Sequence, residues 1–262
     1  MEIIGYSITL FIGISLGLIG GGGSILTIPA LVYLFGLEPV LATGYSLFIV
    51  GSSSLLGAII KFRQGDVDTS AAGYFGLTSI ITVILVRKFV LPAIPDQLFT
   101  LAGVEVTKSL AVLMLFAIVM IIASINMISR KELQHTGETK PVNARSALIK
   151  GIEVGILTGF IGAGGGFVII PVLIFSFQLP MKKAIGTSLL IIAANSLFGF
   201  AGDLLVHQFH WPLLITFSSI SCAGIFIGNI LGKKISGTRL KKGFGFFVLS
   251  VGCFMILHEI FK

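Results

Sequence analysis

Two runs of glycine interrupt apolar stretches at equivalent places in the two halves of the chain. The first run occupies residues 20–23, and the second, broken once by Ala163, occupies residues 162–166. Each run is followed by a proline, and 142 positions separate Pro29 from Pro171. The same offset pairs identical residues at Gly17, Ile19, Ile28, Leu31, Ala42, Gly44, Ser46, Leu47, Ile49, Ser54, Leu55 and Gly57. A duplicated unit with a glycine-broken hydrophobic segment in each half is typical of secondary transporters.

The distribution of charge sets the fold class. Only 11% of the 262 residues are charged and 55% are hydrophobic, whereas a soluble domain carries about a quarter charged residues. The charges cluster between apolar blocks of roughly 20 residues, the length at which a helix crosses a bilayer. A β-barrel would instead show short alternating segments. The sequence therefore predicts an all-α polytopic membrane protein whose first partner is the lipid bilayer.

Other partners and cofactors find little support in the sequence. The net charge is +7, but the basic residues lie in short loops, where they act as topology signals, so no nucleic acid partner is predicted. Cys222 and Cys253 are too few and too separated for a disulfide framework or a metal site, and no cofactor is predicted. Residues 3–19 follow only the acidic Glu2, so they are expected to be retained rather than cleaved as a signal peptide.

The repeat divides the chain into two domains joined by a polar linker. Repeat 1 covers residues 1–128, with a hairpin at 3–36 and helices at 40–60, 69–89 and 105–128. The linker covers residues 129–146 and is rich in Lys and Arg. Repeat 2 covers residues 147–262, with a hairpin at 147–179 and helices at 184–206, 211–232 and 243–261.

Basic loops set the predicted topology. The linker and the loop that begins at Lys233 are both basic, which places them in the cytoplasm of a multi-pass protein of the inner (cytoplasmic) membrane. Each repeat is a glycine-broken helical hairpin plus three transmembrane helices. Because three crossings are an odd number, the two repeats are predicted to have inverted topology. Arg87 and Lys88 fall on the outer side and count against this assignment.

The consecutive glycines predict a substrate site. A turn inside the membrane survives only where protein buries it or where it lines a polar cavity, and glycine suits such a turn. The helix that follows each turn begins with uncapped N–H groups and the positive end of its dipole, which attract an anion. The predicted binding residues of the two turns are Gly21, Gly22, Gly23, Ser24, Gly164, Gly165 and Gly166. The alternative, tight helix packing, is the better explanation for the spaced pairs such as Gly13/Gly17 and Gly155/Gly159.

Polar side chains on the two segments that follow the hairpins extend this site. They are uncharged donors that could bind anion oxygens: Tyr45, Ser46, Ser53, Thr187, Ser188 and Asn195. The alternative is that these groups form hydrogen bonds within their own helices or between neighbouring helices. Glu105, Glu153 and Asp203 lie near segment ends, where an interfacial role is expected, but they are the first carboxylates to neutralise if transport is coupled to protons.

The paired motifs resemble those of a known family. They are Gly17-Leu-Ile-Gly-Gly-Gly-Gly-Ser24 with Pro29 and Ala42-Thr-Gly-Tyr-Ser46, and Gly159-Phe-Ile-Gly-Ala-Gly-Gly-Gly166 with Pro171 and Ala184-Ile-Gly-Thr-Ser188. This pattern resembles the sulfite exporter TauE/SafE family over essentially the whole chain. The resemblance implies a secondary transporter for a small sulfur-containing anion such as sulfite, a sulfonate or sulfoacetate. Family members differ in substrate and in the direction of transport.

The sequence thus predicts a carrier that works by alternating access, with the small anionic substrate between the two glycine turns. The first alternative is an anion channel with a pore between the two hairpins. An enzyme is not predicted, because the chain has no metal-ligand motif and no convincing nucleophile–base set. A structural assembly factor is a further alternative. A coupling proton or other ion and a homo-oligomer are both left open.

Overall fold

The computed structural model describes residues 2–101, 104–129, 144–161, 165–205, 207–232 and 235–260. The helices are α1 (Glu2–Ile19), α2 (Gly22–Tyr33), α3 (Pro39–Arg63), α4 (Thr69–Leu85), α5 (Leu91–Ala93), α6 (Lys108–Ser129), α7 (Ala144–Ile161), α8 (Gly166–Phe175), α9 (Met181–Asp203), α10 (Trp211–Gly232) and α11 (Gly237–Ile260). A π-helical turn, Val86–Val90, joins α4 to α5. Most of the predicted linker, residues 130–143, lies outside the described residues.

Among the residues that the structure describes, five helical segments are long and apolar enough to cross a membrane. They are Pro39–Arg63, Thr69–Ala93, Lys108–Ser129, Met181–Asp203 and Trp211–Gly232. The all-α polytopic class predicted from composition is therefore confirmed. Thr69–Ala93 reaches this length only because the π-helical turn carries the helical path of α4 on into α5.

The helices that follow the glycine runs are short. α2 has 12 residues and α8 has 10, which at about 1.5 Å per residue gives lengths of roughly 18 and 15 Å. The hydrocarbon core of a bilayer is about 30 Å thick. Each of these helices is therefore long enough to cross only about half of a membrane.

A small β-hairpin precedes α6. Gln97–Leu101 (β1) pairs antiparallel with Val104–Thr107 (β2), with Thr100 opposite Glu105. The helix predicted from residue 105 therefore begins at Lys108, because the β-branched residues ahead of it pair as a strand instead. The Lys108 Nζ pairs with the Asp96 carboxylate at 2.9 Å. This hydrogen bond and the positive charge of Lys108 lower the pKa of the Asp96 carboxyl.

Glycines bring helices of the two repeats into backbone contact. A Cβ on Gly13 of α1 would lie 2.0 Å from the Ser221 carbonyl oxygen of α10, and one on Gly155 of α7 would lie 2.9 Å from the Ser79 carbonyl oxygen of α4. No larger residue fits at these distances, so the packing role predicted for the spaced glycines is confirmed. α1 and α10, α4 and α7, α3 and α9, and α6 and α11 are the most extensive helix pairs.

Contacts along these pairs fix the helix directions. α3 and α9 are antiparallel, because Gly44 near the start of α3 faces Asp203 at the end of α9, and Gly186 near the start of α9 faces Asp66 just after α3. α1 runs parallel to α10, and α7 runs parallel to α4. α3 also runs parallel to α10, and α9 to α4. Helices α1, α3 and α10 thus run one way, and their counterparts at the 142-residue offset, α7, α9 and α4, run the other.

Candidate functional site

Two glycines with left-handed backbones shape the turns of the hairpins. Gly20, with φ of +76°, ends α1, and its N–H donates to the Leu16 carbonyl at 2.7 Å. Gly165, with φ of +71°, immediately precedes α8. Residues with a side chain are strained at such φ values, whereas glycine adopts them freely. Helix α1 thus ends at the first glycine run and α2 begins within it, while α8 begins directly after the left-handed Gly165.

The starts of α2 and α8 meet. A Cβ on Gly21 would lie 2.6 Å from the carbonyl carbon and oxygen of Gly166, and one on Gly166 would lie 2.7 Å from the Gly21 Cα. The residues at the two N-cap positions are Gly21 and Gly165, so no side chain caps either helix. Two positive helix ends therefore lie together, which favours a negative group beside them.

A serine of α9 reaches this junction. The Ser188 hydroxyl lies 2.8 Å from the Ile185 carbonyl and 3.3 Å from the Gly20 carbonyl, and the side chain is fully buried. Its counterpart at the 142-residue offset is Ser46 of α3, which is also fully buried. The Ser46 Oγ has no hydrogen-bond partner among the described residues. A buried hydroxyl without a partner can donate to a bound anion at little cost.

Tyr45 and Thr187, also equivalent to one another, have a different place. The backbone N–H of His210, just before α10, donates to the Tyr45 hydroxyl at 2.8 Å. The backbone N–H of Asp68, just before α4, donates to the Thr187 Oγ1 at 2.8 Å. Tyr45 of the first repeat thus holds the loop before α10 of the second repeat, and Thr187 of the second repeat holds the loop before α4 of the first. The two side chains lie toward opposite ends of the antiparallel pair α3 and α9.

The remaining predicted residues are distributed as follows. Ser53 donates to the Ile49 carbonyl of its own helix at 2.6 Å, as the packing alternative expects. Asn195 links α9 to α4 by donating its Nδ2 to the Ser79 Oγ at 2.7 Å, while its Oδ1 has no partner in the described part of the chain. Gly22, Gly23 and Ser24 form the first turn of α2. Gly164 lies outside the described residues.

A polar cavity of about 250 Å³ opens beside the turn at Gly20. Lys61, Gln64 and Asp66 line it together with Lys182, and its inner wall is formed by Gly17, Leu18, Met181, Ile185, Gly232 and Ile235. This volume equals that of roughly eight water molecules at about 30 Å³ each, which is ample room for a small oxyanion. The Ile185 side chain lies between the cavity and the turn, because it lines the cavity and also contacts Gly20.

Two larger grooves lie on the outer flanks of the hairpins. One, of about 570 Å³, runs between α1, α2 and α11 and contains Pro29; the other, of about 450 Å³, runs between α6, α7 and α8 and contains Pro171. The two are related by the repeat. Both are wide open and mostly apolar, so they resemble lipid-filled surfaces more than an anion site.

Sequence reasoning missed the lysines of the polar cavity. The basic residues of the short loops were interpreted together as topology signals, yet two of them, Lys61 and Lys182, line this space. The Lys61 Nζ lies 3.5 Å from the Asp66 carboxylate, and its side chain is only 12% exposed. A local signal existed for Lys182, which lies fewer than two helical turns before Ser188 on α9. The chain alone does not reveal that α3 and α9 bring Lys61 and Lys182 to one end.

A buried ion pair was also missed. Arg87, in the π-helical turn, is paired with Asp203 at the end of α9, and the two residues are 3% and 5% exposed. Sequence reasoning expected Asp203 to reach the interface. Of the other two carboxylates considered, Glu153 forms an exposed pair with Lys150 at 2.6 Å, and Glu105 lies in β2. Within the described ranges, no cluster of three or more His, Cys, Asp or Glu residues could hold a metal ion.

Comparisons with known proteins agree with this architecture. The family model described as sulfite exporter TauE/SafE matches residues 6–255. A probable membrane transporter protein of Xylella fastidiosa is 29% identical over 252 residues, which cover 94% of this chain and 91% of that protein. The probable membrane transporter protein YunE of Bacillus subtilis is 24% identical over 264 residues, which cover 94% and 93%.

Two further findings complete the comparison. A probable membrane transporter protein of Methanocaldococcus jannaschii is 34% identical over 122 residues, which cover 44% of this chain and 46% of that protein. No solved structure matches the chain. The match to the family model spans nearly the whole chain and both glycine hairpins. The chain therefore belongs to the sulfite exporter TauE/SafE family of membrane transporters.

Proposed function

We propose that this protein carries a small sulfur-containing anion, such as sulfite, a sulfonate or sulfoacetate, across the cytoplasmic membrane by alternating access. The substrate binds where the starts of α2 and α8 meet. The observation that carries the proposal is the backbone contact between Gly21 and Gly166, beside the buried Ser188 hydroxyl. Each of these groups was predicted to contribute to the site from the sequence.

The electrostatics of the junction favour an anion. Two helix N-termini each contribute the equivalent of about half a positive charge when they are not neutralised by acidic side chains, and neither first turn contains an acidic residue. Serine hydroxyls donate to oxyanions without requiring a counterion. Lys61 and Lys182 line the cavity that leads to this point and raise the local concentration of anions there.

The arrangement of the repeats supports a carrier. Corresponding helices of the two repeats run in opposite directions, which is what an inverted repeat requires. The polar cavity opens at one end of α3 and α9, and Ile185 and the Gly21–Gly166 contact separate it from the other end. A site that opens to one side at a time is the basis of alternating access.

The anion channel is the second candidate. It requires a continuous water-filled pathway between the hairpins, whereas the starts of α2 and α8 are in van der Waals contact. The two candidates differ in flux: a carrier saturates at low turnover, and a channel shows unitary conductance in planar bilayers. Unitary anion currents from the purified protein would contradict the carrier and show that the protein is a channel.

A ligand screen tests the proposed substrate class. We expect sulfite, thiosulfate or sulfoacetate to raise the melting temperature of the purified protein. A ligand that binds only the folded state stabilises it by about 2.7 kcal/mol at about 100 times its Kd. The measurement is thermal unfolding in detergent micelles with each anion at matched ionic strength. Taurine is tested as a further sulfonate, and sulfate and acetate serve as comparison ligands. Stabilisation by a cation alone would contradict the proposal.

The charge of Lys61 is expected to affect affinity. Lys61→Gln keeps a hydrogen-bonding side chain but removes the positive charge, so we expect the KM for the transported anion to rise about fivefold to tenfold. The measurement is the initial rate of uptake into proteoliposomes over a range of substrate concentrations and at two salt concentrations. The salt dependence of KM should also weaken, because part of the attraction is electrostatic.

Arg63→Gln is the matched control for Lys61→Gln. Arg63 lies two residues further along, carries the same charge and is exposed, and it does not line the cavity. Its substitution should leave KM within experimental error. An equal rise in KM in both variants would show that the overall surface charge, rather than the cavity, attracts the anion.

A further inference from the structure

Arg87 connects the two repeats at one end of the bundle. Its Nε donates to the Gly159 carbonyl of α7 at 3.1 Å, one terminal nitrogen donates to the Thr43 Oγ1 of α3 at 2.9 Å, and the other pairs with Asp203 of α9. Arg87 and Thr43 belong to the first repeat, whereas Gly159 and Asp203 belong to the second. A movement of one repeat against the other therefore breaks the contacts with Gly159 and Asp203 and keeps the contact with Thr43.

The π-helical turn aims this side chain inward. Within Val86–Val90, Arg87 is buried, whereas its neighbours Lys88 and Phe89 are exposed. A π-helical turn inserts an extra residue into a helix and is frequent at functional sites. Charged residues within membrane-spanning segments are costly and mark functional positions by default. A buried ion pair also adds little stability over apolar residues of the same volume, so stability alone does not explain it.

The repeat relates this ion pair to the polar cavity. At the 142-residue offset, the counterparts of Thr43, Gly159 and Asp203 are Ile185, Gly17 and Lys61. All three counterparts line the open cavity. The same place in the fold is thus occupied by an ion pair at one end of the bundle and by a space of about 250 Å³ at the other.

The counterpart of Arg87 is Asn229, on α10. Asn229 is buried, and its Oδ1 has no hydrogen-bond partner within the described part of the chain. At the ion-pair end the first repeat supplies the donor, Arg87, and the second the acceptor, Asp203. At the cavity end the first repeat again supplies the donor, Lys61, and the second the acceptor, Asn229.

We propose that Arg87 and Asp203 form the gate that closes one end of the transporter, and that Lys61 and Asn229 form the weaker gate at the other end. The inference rests on the alternating-access function proposed above. In the structure the first gate is closed and the second is open. When the protein changes to the opposite state, Arg87 separates from Asp203 and Gly159, and the Lys61 side chain approaches the Asn229 Oδ1. These four side chains act as positioning residues, since none of them has to touch the substrate in order to set which end is open.

Two cysteine reporters measure the state of each end. Lys182→Cys reports on the open cavity, which Lys182 lines. Val40→Cys reports on the closed end, because Val40 is the counterpart of Lys182 and is buried. Each is placed in a chain in which Cys222 and Cys253 are replaced by alanine. The rate of alkylation by N-ethylmaleimide is followed by mass spectrometry on full-length protein in detergent micelles, where both ends are accessible to the reagent.

The test variant is the double substitution Arg87→Gln/Asp203→Asn, which removes both charges without leaving either one unpaired. We expect the alkylation rate at Val40→Cys to rise about tenfold or more and the rate at Lys182→Cys to fall. The two rates change in opposite directions because a shift between two states opens one end of the protein and closes the other. Lys88→Gln/Asp96→Asn removes the same two charges from exposed residues and should change neither rate.

Each other outcome decides against part of the scheme. An unchanged rate at Val40→Cys in the double variant overturns the gate, and so does a parallel rise at both reporters, which indicates general loosening. An equal effect of Lys88→Gln/Asp96→Asn also overturns it. The proposed function is judged separately: if sulfite, thiosulfate and sulfoacetate change neither reporter's rate in any background, alternating access of these anions is wrong even when the charge substitutions shift both rates.

Discussion

Replacing Gly166 with valine is expected to reduce anion uptake by about a hundredfold or more, because displacement of a binding geometry by about 1 Å has effects of that size. A Cβ at this position would lie 2.6 Å from the Ile192 Cδ1 and 2.7 Å from the Gly21 Cα. The Ile192 side chain can rotate, but the Gly21 backbone cannot move without displacing the start of α2. The substitution therefore separates the two helix N-termini that form the proposed site.

Uptake into proteoliposomes measures this effect, with the anion that gives the largest thermal shift as substrate. Gly21→Val places a side chain in the same contact from the side of α2, and we expect it to reduce uptake to a similar extent. Gly73→Val is the matched control: Gly73 lies within α4, and no heavy atom lies within 4 Å of a Cβ built there. Size-exclusion profiles identify variants that fail to fold. Normal uptake by well-folded Gly166→Val would remove the substrate from the junction of the hairpins.

Arg87→Gln alone is expected to lower the free energy of unfolding by about 3–5 kcal/mol, the usual cost of removing one partner from a buried ion pair. The loss leaves the Asp203 carboxylate, which is 5% exposed, without its cation. It also leaves the Gly159 carbonyl and the Thr43 hydroxyl without the donors that Arg87 supplies. Thermal unfolding in detergent micelles, at equal protein concentration, gives the difference from the unmodified protein.

The double variant Arg87→Gln/Asp203→Asn distinguishes charge from packing. Because it buries two neutral amides instead of one unpaired charge, it should be more stable than Arg87→Gln, although it has one more substitution. Lys88→Gln, in the same π-helical turn but exposed, should lie within about 0.5 kcal/mol of the unmodified protein. If Arg87→Gln is no less stable than Lys88→Gln, the ion pair is not buried in the folded protein as described.

Hydropathy was sufficient to predict the class of fold, and the glycine runs were sufficient to predict where α2 and α8 begin. Both signals are local: an apolar block of the right length indicates a helix, and consecutive glycines weaken one. Ends of elements were less predictable. No proline or glycine separates residues 105–107 from the helix that follows, and only their pairing with Gln97–Leu101 shows that they form a strand.

The direction of polar side chains was the main limit on predicting the site. α9 is buried on nearly all sides, with 72% of its membrane-spanning stretch inside the protein. Its sequence therefore has no amphipathic pattern that distinguishes one face of the helix from another. Thr187 and Ser188 are adjacent, yet Thr187 bonds to the loop before α4 and Ser188 reaches the turn at Gly20. Which neighbour each hydroxyl meets depends on how α3 and α9 cross.

Partners distant in sequence were the other limit. Arg87 and Asp203 lie in different repeats, and nothing near either residue in the chain indicates the other. A charge inside an apolar segment suggests that a partner exists, but does not identify it. The internal repeat gives part of this information. It pairs the positions of Asp203 and Lys61, and so it identifies two equivalent positions that carry opposite charges.

Helices of the two repeats are interleaved rather than set side by side: α1 packs along α10, and α7 packs along α4. The glycine-lined faces of α1 and α7 thus have no complement within their own halves. A single half could complete these faces only by pairing with a second copy whose helices run in the opposite direction. Joining the two halves in one chain supplies that second copy at a fixed ratio, and it lets equivalent positions carry different residues, as Lys61 and Asp203 do.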